Sequence, residues 1–471
     1  MNEVKGWVKE ELQTVDFGDK RLKVRCMKIL ESLSLSPDKS IPSSSKGWSE
    51  TQGAYRFIAN PKVSPNKILS AHKKSTLSRI QQEPVILIPQ DTTEIDCTHR
   101  SRRDDFGYLT TSNSQGFYIH PSVAFTQEGC CLGVVDLQLW TRKELGVSKK
   151  RKAKKIEEKE SYNWVKGYEA CNALAKLSPN TLIVSIADRE GDIYEVLEKQ
   201  LNEENKAYWL VRSQHDRKVL DEDSGQFNRK LRELIQSIAA EGVLEFEVPA
   251  AWVNRNSKAR YLRSGRLVKQ EVRFKTITLA PPSSTTQSSG PIAIHVIHCK
   301  ELNPPEGEKP IEWYLLSNYP VSSFEEAITL VKWYLCRWQI EIFFKVLKSG
   351  CKIEELQFDS LRNTANCLAL YMIVAWRILF LMMAGRNYPD VCCELLLEPS
   401  EWKAVYAVVK KKKPPKIPPS LYTMLIMIAQ LGGFLGRKSD GFPGPKVLWI
   451  GLQRMRDFTL AWESFTQMTD T

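Results

Sequence analysis

Three carboxylates stand out by where they fall in the chain. Asp91 closes the apolar run VILIPQD (85–91), Asp188 closes LIVSIAD (182–188), and Glu341 lies inside WYLCRWQIEIFFKVLKSG (333–350). An aspartate ending a single buried strand is as readily a loop or N-cap residue as a reactive one. Two such ends can be neighbours in a compact sheet, however, and Glu341 belongs to a helix whose other faces call for burial. Three carboxylates brought together without cations repel and raise one another's pKa values; a bound divalent ion removes the conflict. Ligands that are all oxygen select hard ions, Mg²⁺ or Mn²⁺, over zinc. Two such ions ~3.5–4 Å apart can clamp the attacking and the leaving oxygen of a phosphoryl transfer.

The surroundings of Glu341 fit the same chemistry. At ~100° per residue, Tyr334, Arg337, Glu341, Lys345 and Lys348 fall within an arc of roughly 80°. Most other positions are large and apolar: Leu335, Trp338, Ile340, Ile342, Phe343, Phe344, Val346 and Leu347. The spacing predicts one long helix buried on most sides, with a charged stripe. Arg337 could grip a phosphodiester bidentately, Lys348 could act as a point charge, and Tyr334 could donate to a phosphate oxygen. The plainer reading is a solvated face carrying i,i+4 pairs, Arg337–Glu341 and Glu341–Lys345. Against it, the arc is narrow for a face that meets water. Trp338, at the edge of the stripe, is expected to pack.

Several elements must position these groups. Residues 1–72 read as short helices; DKRLKVRCMKILESLS (19–34) has Asp19 as N-cap and carries Lys20, Arg21, Lys23, Arg25 and Lys28. A small basic helical module suits DNA, although a solvated helix face explains it nearly as well. From residue 85 strands predominate. Residues 116–142 read as two strands around Gln127-Glu128-Gly129, followed by the basic loop KKRKAKK (149–155) and a helix from about Asn163 to Lys176. The strand ending at Asp188 leads to a helix over IYEVLEKQL and a strand, AYWLVRS (207–213). Residues 214–311 are polar and strand-like, with PPSSTTQSSGP at 281–291, and read as an insertion. WYLLSN (313–318) resumes the core, and SSFEEAITLV opens the long helix through a capping box, Ser322/Glu325 or Ser323/Glu326. After about 385 the chain is helical, with a basic, Pro-rich joint KKKKPPKIPP (410–419). Fully apolar runs imply strands covered on both faces, so the fold class is α/β with a mixed sheet and helical modules at either end of the chain.

Composition bounds the rest. With 471 residues, 42% of them apolar, the chain has ample material for a large core and reads as two to four domains. A net charge of +12 favours a polyanionic partner. The 11 cysteines are scattered without a CxxC and read as reduced thiols in a cytosolic protein. MNEVKGWVKEEL has no apolar core, so it is not a signal peptide. CLALYMIVAWRILFLMMAG (367–385), interrupted by Arg377, is long enough for a membrane span but reads as a buried helix. His295, His298 and Cys299 suggest zinc, but two residues three apart on a strand face opposite ways and no fourth ligand is evident.

Tyr334-x2-Arg337-x3-Glu341-x6-Lys348 resembles the Y-R-E-K signature of bacterial cut-and-paste insertion-sequence transposases of the DDE class, insertion-sequence family four. QDTTEID around Asp91, ADREGDIYE around Asp188, GAYRFIANPKVS and LGGFLGRKSDG look alike too, in the right order over essentially the whole chain. The resemblance implies an RNase H-like mixed-sheet catalytic core at 73–384 with a β-rich insertion at about 214–311. An α-helical DNA-binding module would occupy 1–72 and an α-helical dimerisation module 385–471. Asp91, Asp188 and Glu341 would hold two Mg²⁺ ions, with Mn²⁺ able to substitute. The reaction would free each transposon 3′-OH, pass through a DNA hairpin, and join the ends to target DNA. Tyr334, Arg337, Lys345 and Lys348 would contact the transposon end, Trp313 would stack a flipped base, and Arg189 and Arg212 would lie near the backbone. Lys20, Arg21, Lys23, Arg25 and Arg56 would serve end recognition. The partners implied are double-stranded transposon-end and target DNA, and a second copy of the chain in a synaptic homodimer that cleaves in trans. No membrane is implied, and the location is cytoplasmic and nucleoid-associated. Gln214 departs from the pattern, standing where a further base is expected after VRS, and the base-displacing partner of Trp313 is unassigned. Two other readings stay open: an RNase H-like nuclease that does not join strands, and a non-catalytic DNA-binding regulator or inhibitor.

Overall fold

The computed structural model describes residues 5–98, 104–111, 114–143, 155–202, 204, 206–248, 251–255, 258–263, 265–282, 290–358, 360–437 and 440–469. Most of the basic loop 149–155, the centre of the Ser/Thr-rich stretch 281–291, and Lys438 and Ser439 of LGGFLGRKSDG lie outside these residues. The chain packs as two compact units. The first comprises Met1–Ile86, Thr92–Lys149 and Trp338–Thr471, and the second Leu87–Asp91 and Lys150–Arg337. The packing units are thus not the sequential blocks 1–72, 73–384 and 385–471, which are assignments of role.

The first unit opens with five helices: α1 (Gly6–Glu11), α2 (Lys20–Leu35), α3 (Ile41–Ser44), α4 (Trp48–Ile58) and α5 (Pro65–Ile80). Asp19 caps α2 as expected, accepting from the Arg21 N–H at 2.9 Å. Strand β1 (Val85–Pro89) begins here and ends in the second unit. In the first unit, β4 (Gln115–Phe125) pairs antiparallel with β2 (Thr93–Asp96), β3 (Gly107–Tyr108) and β5 (Cys131–Trp140). The turn between β4 and β5 falls on the expected residues, with Gly129 at φ 81°. A buried network ties these helices to β5. Glu11 accepts from Arg79 at 2.9 and 3.1 Å and meets His72 Nδ1 at 2.5 Å, while His72 Nε2 accepts from the Val134 N–H at 2.9 Å.

The second unit is built on a mixed sheet. Its strands are the end of β1, β6 (Leu182–Ala187), β7 (Tyr208–Arg212), β8 (Lys218–Asp221), β9 (Gln226–Lys230), β10 (Gly242–Val248), β13 (Arg266–Leu279), β14 (Ile292–Glu301) and β15 (Glu312–Ser317). They lie in the order β1-β6-β7-β15-β14-β13-β8-β9, with β10 beside β13. β6 and β7 run parallel, and β15 runs antiparallel to β7. β11 (Ala251–Arg255) and β12 (Lys258–Arg263) form a separate two-stranded ribbon. Ile183, Val184, Ile186, Trp209, Leu210, Val211, Leu315 and Leu316 are buried almost completely, as continuous apolar runs require when both sheet faces are covered. The helices are α6 (Tyr162–Leu177), the short α7 (Tyr194–Leu197), α8 (Leu231–Ser237) and α9 (Phe324–Leu335). The polar stretch 214–311 is β-rich as expected. It is not a separate layer, because β14 joins β15 and carries the sheet onward.

The long helix expected through residue 350 is interrupted. α9 ends at Leu335, and the Cys336 and Arg337 amides bond three residues back, to Trp333 and Tyr334 carbonyls at 3.0 Å. α10 (Trp338–Lys345) follows and ends in a π-helical turn, Val346–Gly350. The α-helical hydrogen-bond pattern is thus broken at Cys336 and Arg337, so a wheel drawn through 334–348 does not describe one continuous helix. Leu335 and Trp338 are 42% and 55% exposed, so Trp338 does not pack into the core as expected. Of the two capping boxes, Ser323/Glu326 forms.

In the first unit, α11 (Leu361–Asn387) is the central helix, joined by α12 (Pro399–Lys410), α13 (Leu421–Leu431) and α14 (Pro445–Thr469). It is the one described helix long and apolar enough to cross a membrane, and 94% of its most apolar window is buried within the protein. Its buried donors are satisfied internally: Trp376 Nε1 donates to Cys131 O at 3.0 Å, Asn366 Nδ2 to Ile58 O at 2.9 Å, and Arg377 to Leu396 O at 2.7 Å, while Asn366 Oδ1 has no partner among the described residues. All eleven cysteines are free thiols and only Cys392 is exposed; burial pushes the Cys299 thiol up to about 12. His295 Nδ1 bonds Thr276 at 2.9 Å and His298 Nε2 bonds Glu312 at 2.8 Å.

Candidate active site

The second unit brings the ends of β1 and β6 side by side. The Gln90 N–H donates to Ile186 O at 3.0 Å, and its side-chain amide to Ser185 Oγ at 2.9 Å. Asp91 and Asp188 therefore emerge from the ends of adjacent strands. Asp91 Oδ2 faces Arg337 Nη1 at 3.8 Å, with both side chains largely buried. Asp188 Oδ1 accepts from the Glu190 N–H at 2.8 Å and caps a single 3-10 turn, Arg189–Gly191. The capping role weighed for such an aspartate is thus real, and it engages only one carboxylate oxygen.

That turn is held from both ends. A Cβ on Gly191 would stand 2.4 Å from Ala187 Cβ and 2.9 Å from the Trp164 ring, so only glycine fits. Asp192 is buried and accepts from the Gln214 and His215 amides at 2.7 and 2.9 Å. Arg217 donates to the same carboxylate, and also to the Asp192 carbonyl at 2.9 Å. Asp192 therefore pins the loop after β6 to the loop after β7. Nothing in the sequence marked it beyond being the second aspartate of DREGD.

Around these acids the second unit gathers four arginines and three aromatics. Tyr334 is 3% exposed. Burial raises its hydroxyl above the usual value, Arg337 and Arg212 pull it down, and Asp188 adds to the rise. Burial likewise lowers Arg212, whose Nη2 donates to Glu312 O at 3.2 Å. Trp313 is half-buried, with Phe246 stacked on it at 6.1 Å between centroids and 22° between planes, and Tyr334 tilted at 6.1 Å. Phe246 comes from the insertion and was not foreseen. Arg189, Arg212 and Trp313 line one polar cavity of about 380 Å³, joined there by Arg232.

Glu341 and Lys345 lie on α10 and Lys348 in the π-helical turn, all in the first unit. Glu341 is half-buried and Lys345 exposed. Lys348 pairs with Glu354 at 3.4 Å, and Glu354 accepts from the Asp96 N–H at 3.1 Å. Of the N-terminal bases, Lys20, Arg21 and Arg56 are exposed and Lys23 and Arg25 half-buried. Arg21 pairs with Asp19 at 2.9 Å, and Arg25 lies against Gly53. Among the described residues, no group of three or more His, Cys, Asp or Glu stands together as metal ligands. The donors at Asp91 and Asp188 are carboxylate oxygens, the type that hard divalent cations take.

Comparison with known proteins supplies the family. Residues 4–63 match the transposase DNA-binding family, residues 134–376 the transposase DDE domain, and residues 373–464 the transposase Tn5 dimerisation domain. A solved structure described as a piggyBac transposase synaptic complex with hairpin DNA aligns over 81% of this chain and 72% of that one. Its TM-score is 0.34 at 10% identity, too low to carry an argument. With its mixed sheet and helical segments at both ends of the chain, the protein has the expected RNase H-like α/β class. Its DNA-binding and dimerisation domains make DNA and a second copy of the chain its partners. Matched by the DDE model over residues 134–376 of 471, the chain belongs to the DDE transposases.

Proposed function

We propose that this transposase is a cut-and-paste enzyme of insertion-sequence family four that uses Asp91, Asp188 and Glu341 as its metal-holding acids. The observation that carries the reading is the pair of strand-end aspartates beside one another, with Arg337, Arg212 and Tyr334 in the same unit. Members of a DDE family use divalent metal ions; here two Mg²⁺, or Mn²⁺, would activate the attacking oxygen and stabilise the leaving one. Asp188 is oriented by the capped turn and by Asp192 behind it. Arg337 and Arg212 neutralise phosphate oxygens, and Tyr334 donates its hydroxyl to one of them. Trp313 offers a π-face to a base turned out of the duplex, which needs no sequence code. Lys345 and Lys348 extend the contact along the transposon end, and Arg189 the contact with the backbone.

In this account residues 1–72 recognise the terminal inverted repeats through Lys20, Arg21, Lys23, Arg25 and Arg56. Residues 385–471 pair two copies, and 73–384 of each copy cuts the end held by the other. Each end is freed through a DNA hairpin and joined to target DNA, and the enzyme works on the nucleoid in the cytoplasm. The test is excision in vitro from a plasmid carrying the gene with its native flanks, in Mg²⁺, Mn²⁺ or EDTA. A metal-dependent excised fragment with hairpin ends that joins to a second plasmid is expected. Nicking without joined products would establish a nuclease instead, and binding without cleavage a regulator.

A further inference from the structure

Gln214 stands where a base is expected, and the fold brings a base to it from elsewhere in the chain. Arg232, in α8 of the insertion, donates from Nη2 to the Gln214 carbonyl at 3.1 Å. Its backbone N–H bonds Asp216 Oδ1 at 3.0 Å, and its guanidinium lies 5.2 Å from the centroid of the Tyr314 ring. Its Nε is shut off from solvent and has no hydrogen-bond partner among the described residues.

Arg232 shares the 380 Å³ cavity with Arg189, Arg212 and Trp313. None of the three arginines forms an ion pair among the described residues. The one carboxylate in the wall, Glu312, is engaged by His298 at 2.8 Å and by the Tyr314 hydroxyl at 3.0 Å. Three guanidinium groups around a small polar space repel one another unless an anion stands between them. The non-bridging oxygens of a phosphodiester match guanidinium forks in charge and geometry. Trp313 in the same wall offers its π-face to a base only once that base is turned out of the duplex for hairpin formation.

We infer that this cavity seats a DNA phosphate and that Arg232, supplied by the insertion, is its third guanidinium. The inference rests on the transposase reading, to which it adds a contact made by the insertion. The chemistry assigns the insertion a direct part in DNA binding, at the place where Gln214 provides no charge.

The experiment measures binding of the full-length chain to a labelled duplex carrying the gene's native flank, in EDTA, from about 50 to 200 mM salt. Arg232→Ala is expected to weaken binding roughly 10-fold and to lower the slope of log affinity against log salt by about 1. Arg232→Gln keeps a donor for the Gln214 carbonyl but loses the charge, so the slope falls equally; this variant decides the matter if Arg232→Ala lowers folding stability. Lys269→Ala, which removes an exposed base of the insertion paired with Glu245 at 2.7 Å, should change binding less than about 2-fold. An unchanged slope for both Arg232 variants, with Arg212→Ala still weakening binding, would overturn the role of Arg232 alone. If Arg212→Ala were also without effect, the cavity would not meet DNA, and the proposed Arg212 contact would fall with it.

Discussion

Asp192 offers the sharpest stability test, because its partners are fully accounted for. One carboxylate oxygen serves two backbone amides and the other serves Arg217, whose side chain is only 11% exposed. Asparagine has nearly the same shape but only one acceptor oxygen. If that oxygen serves the Gln214 and His215 amides, the new NH₂ meets the guanidinium; if it serves Arg217, the NH₂ meets two N–H donors. Either way a buried donor loses its acceptor and Arg217 loses its counter-charge. Breaking a buried ion pair in this way costs about 3–5 kcal/mol, with little solvent screening to reduce it. At ~2–4 °C per kcal/mol for a unit of this size, Asp192→Asn should lower the transition of the second unit by about 6–20 °C in scanning calorimetry. Arg217→Ala and the double variant complete a cycle in which the coupling should exceed about 1 kcal/mol. A shift below about 3 °C, or additive single effects, would refute the claim that Asp192 locks the loop bearing Asp188.

Two further outcomes are expected. His120 is fully buried, burial lowers its pKa to about 3, and Asp136 pulls weakly the other way. Because the unfolded chain takes up that proton near 6.5, stability is full above this pH and falls as pH drops toward 3, by about 2 kcal/mol at pH 5. Urea titrations of wild type and His120→Gln at pH 7 and 5 should show a smaller pH loss in the variant; equal losses would contradict the assignment. Trp313→Ala should leave duplex affinity within about 2-fold while slowing formation of hairpin ends, by about 5- to 150-fold if one stacked base is lost. Product gels resolving nicked, hairpin and open ends would show it, and a normal hairpin rate would return Trp313 to a packing role.

How much of this was legible in the sequence follows from the range of the interactions involved. The strands ending at Asp91 and Asp188 could be read because continuous apolar runs reflect burial on both faces, a local property. The cap at Asp19 and the turn at Gly129 were legible for the same reason. The break between α9 and α10 was not, since neither Cys336 nor Arg337 is a helix breaker and no Gly or Pro marks it. The exposure of Trp338 was missed with it, because the wheel assumed one continuous helix. The strand-like character of 214–311 was readable, but the pairing of β10 with β13, and that of β14 with β15, depends on partners distant in sequence. Asp192, Phe246 and Arg232 owe their roles to such long-range contacts, and no spacing rule finds them.

The most direct test of the central claim is cleavage of the gene's native flank by wild type, Asp91→Asn, Asp188→Asn and Glu341→Gln across a Mg²⁺ titration, with binding measured on the same samples. The account predicts that each substitution abolishes cleavage while end binding stays within a few-fold, and that added Mg²⁺ restores none of them. Normal cleavage by Glu341→Gln, or by either aspartate variant, would contradict the assignment of these three acids to one metal-dependent site.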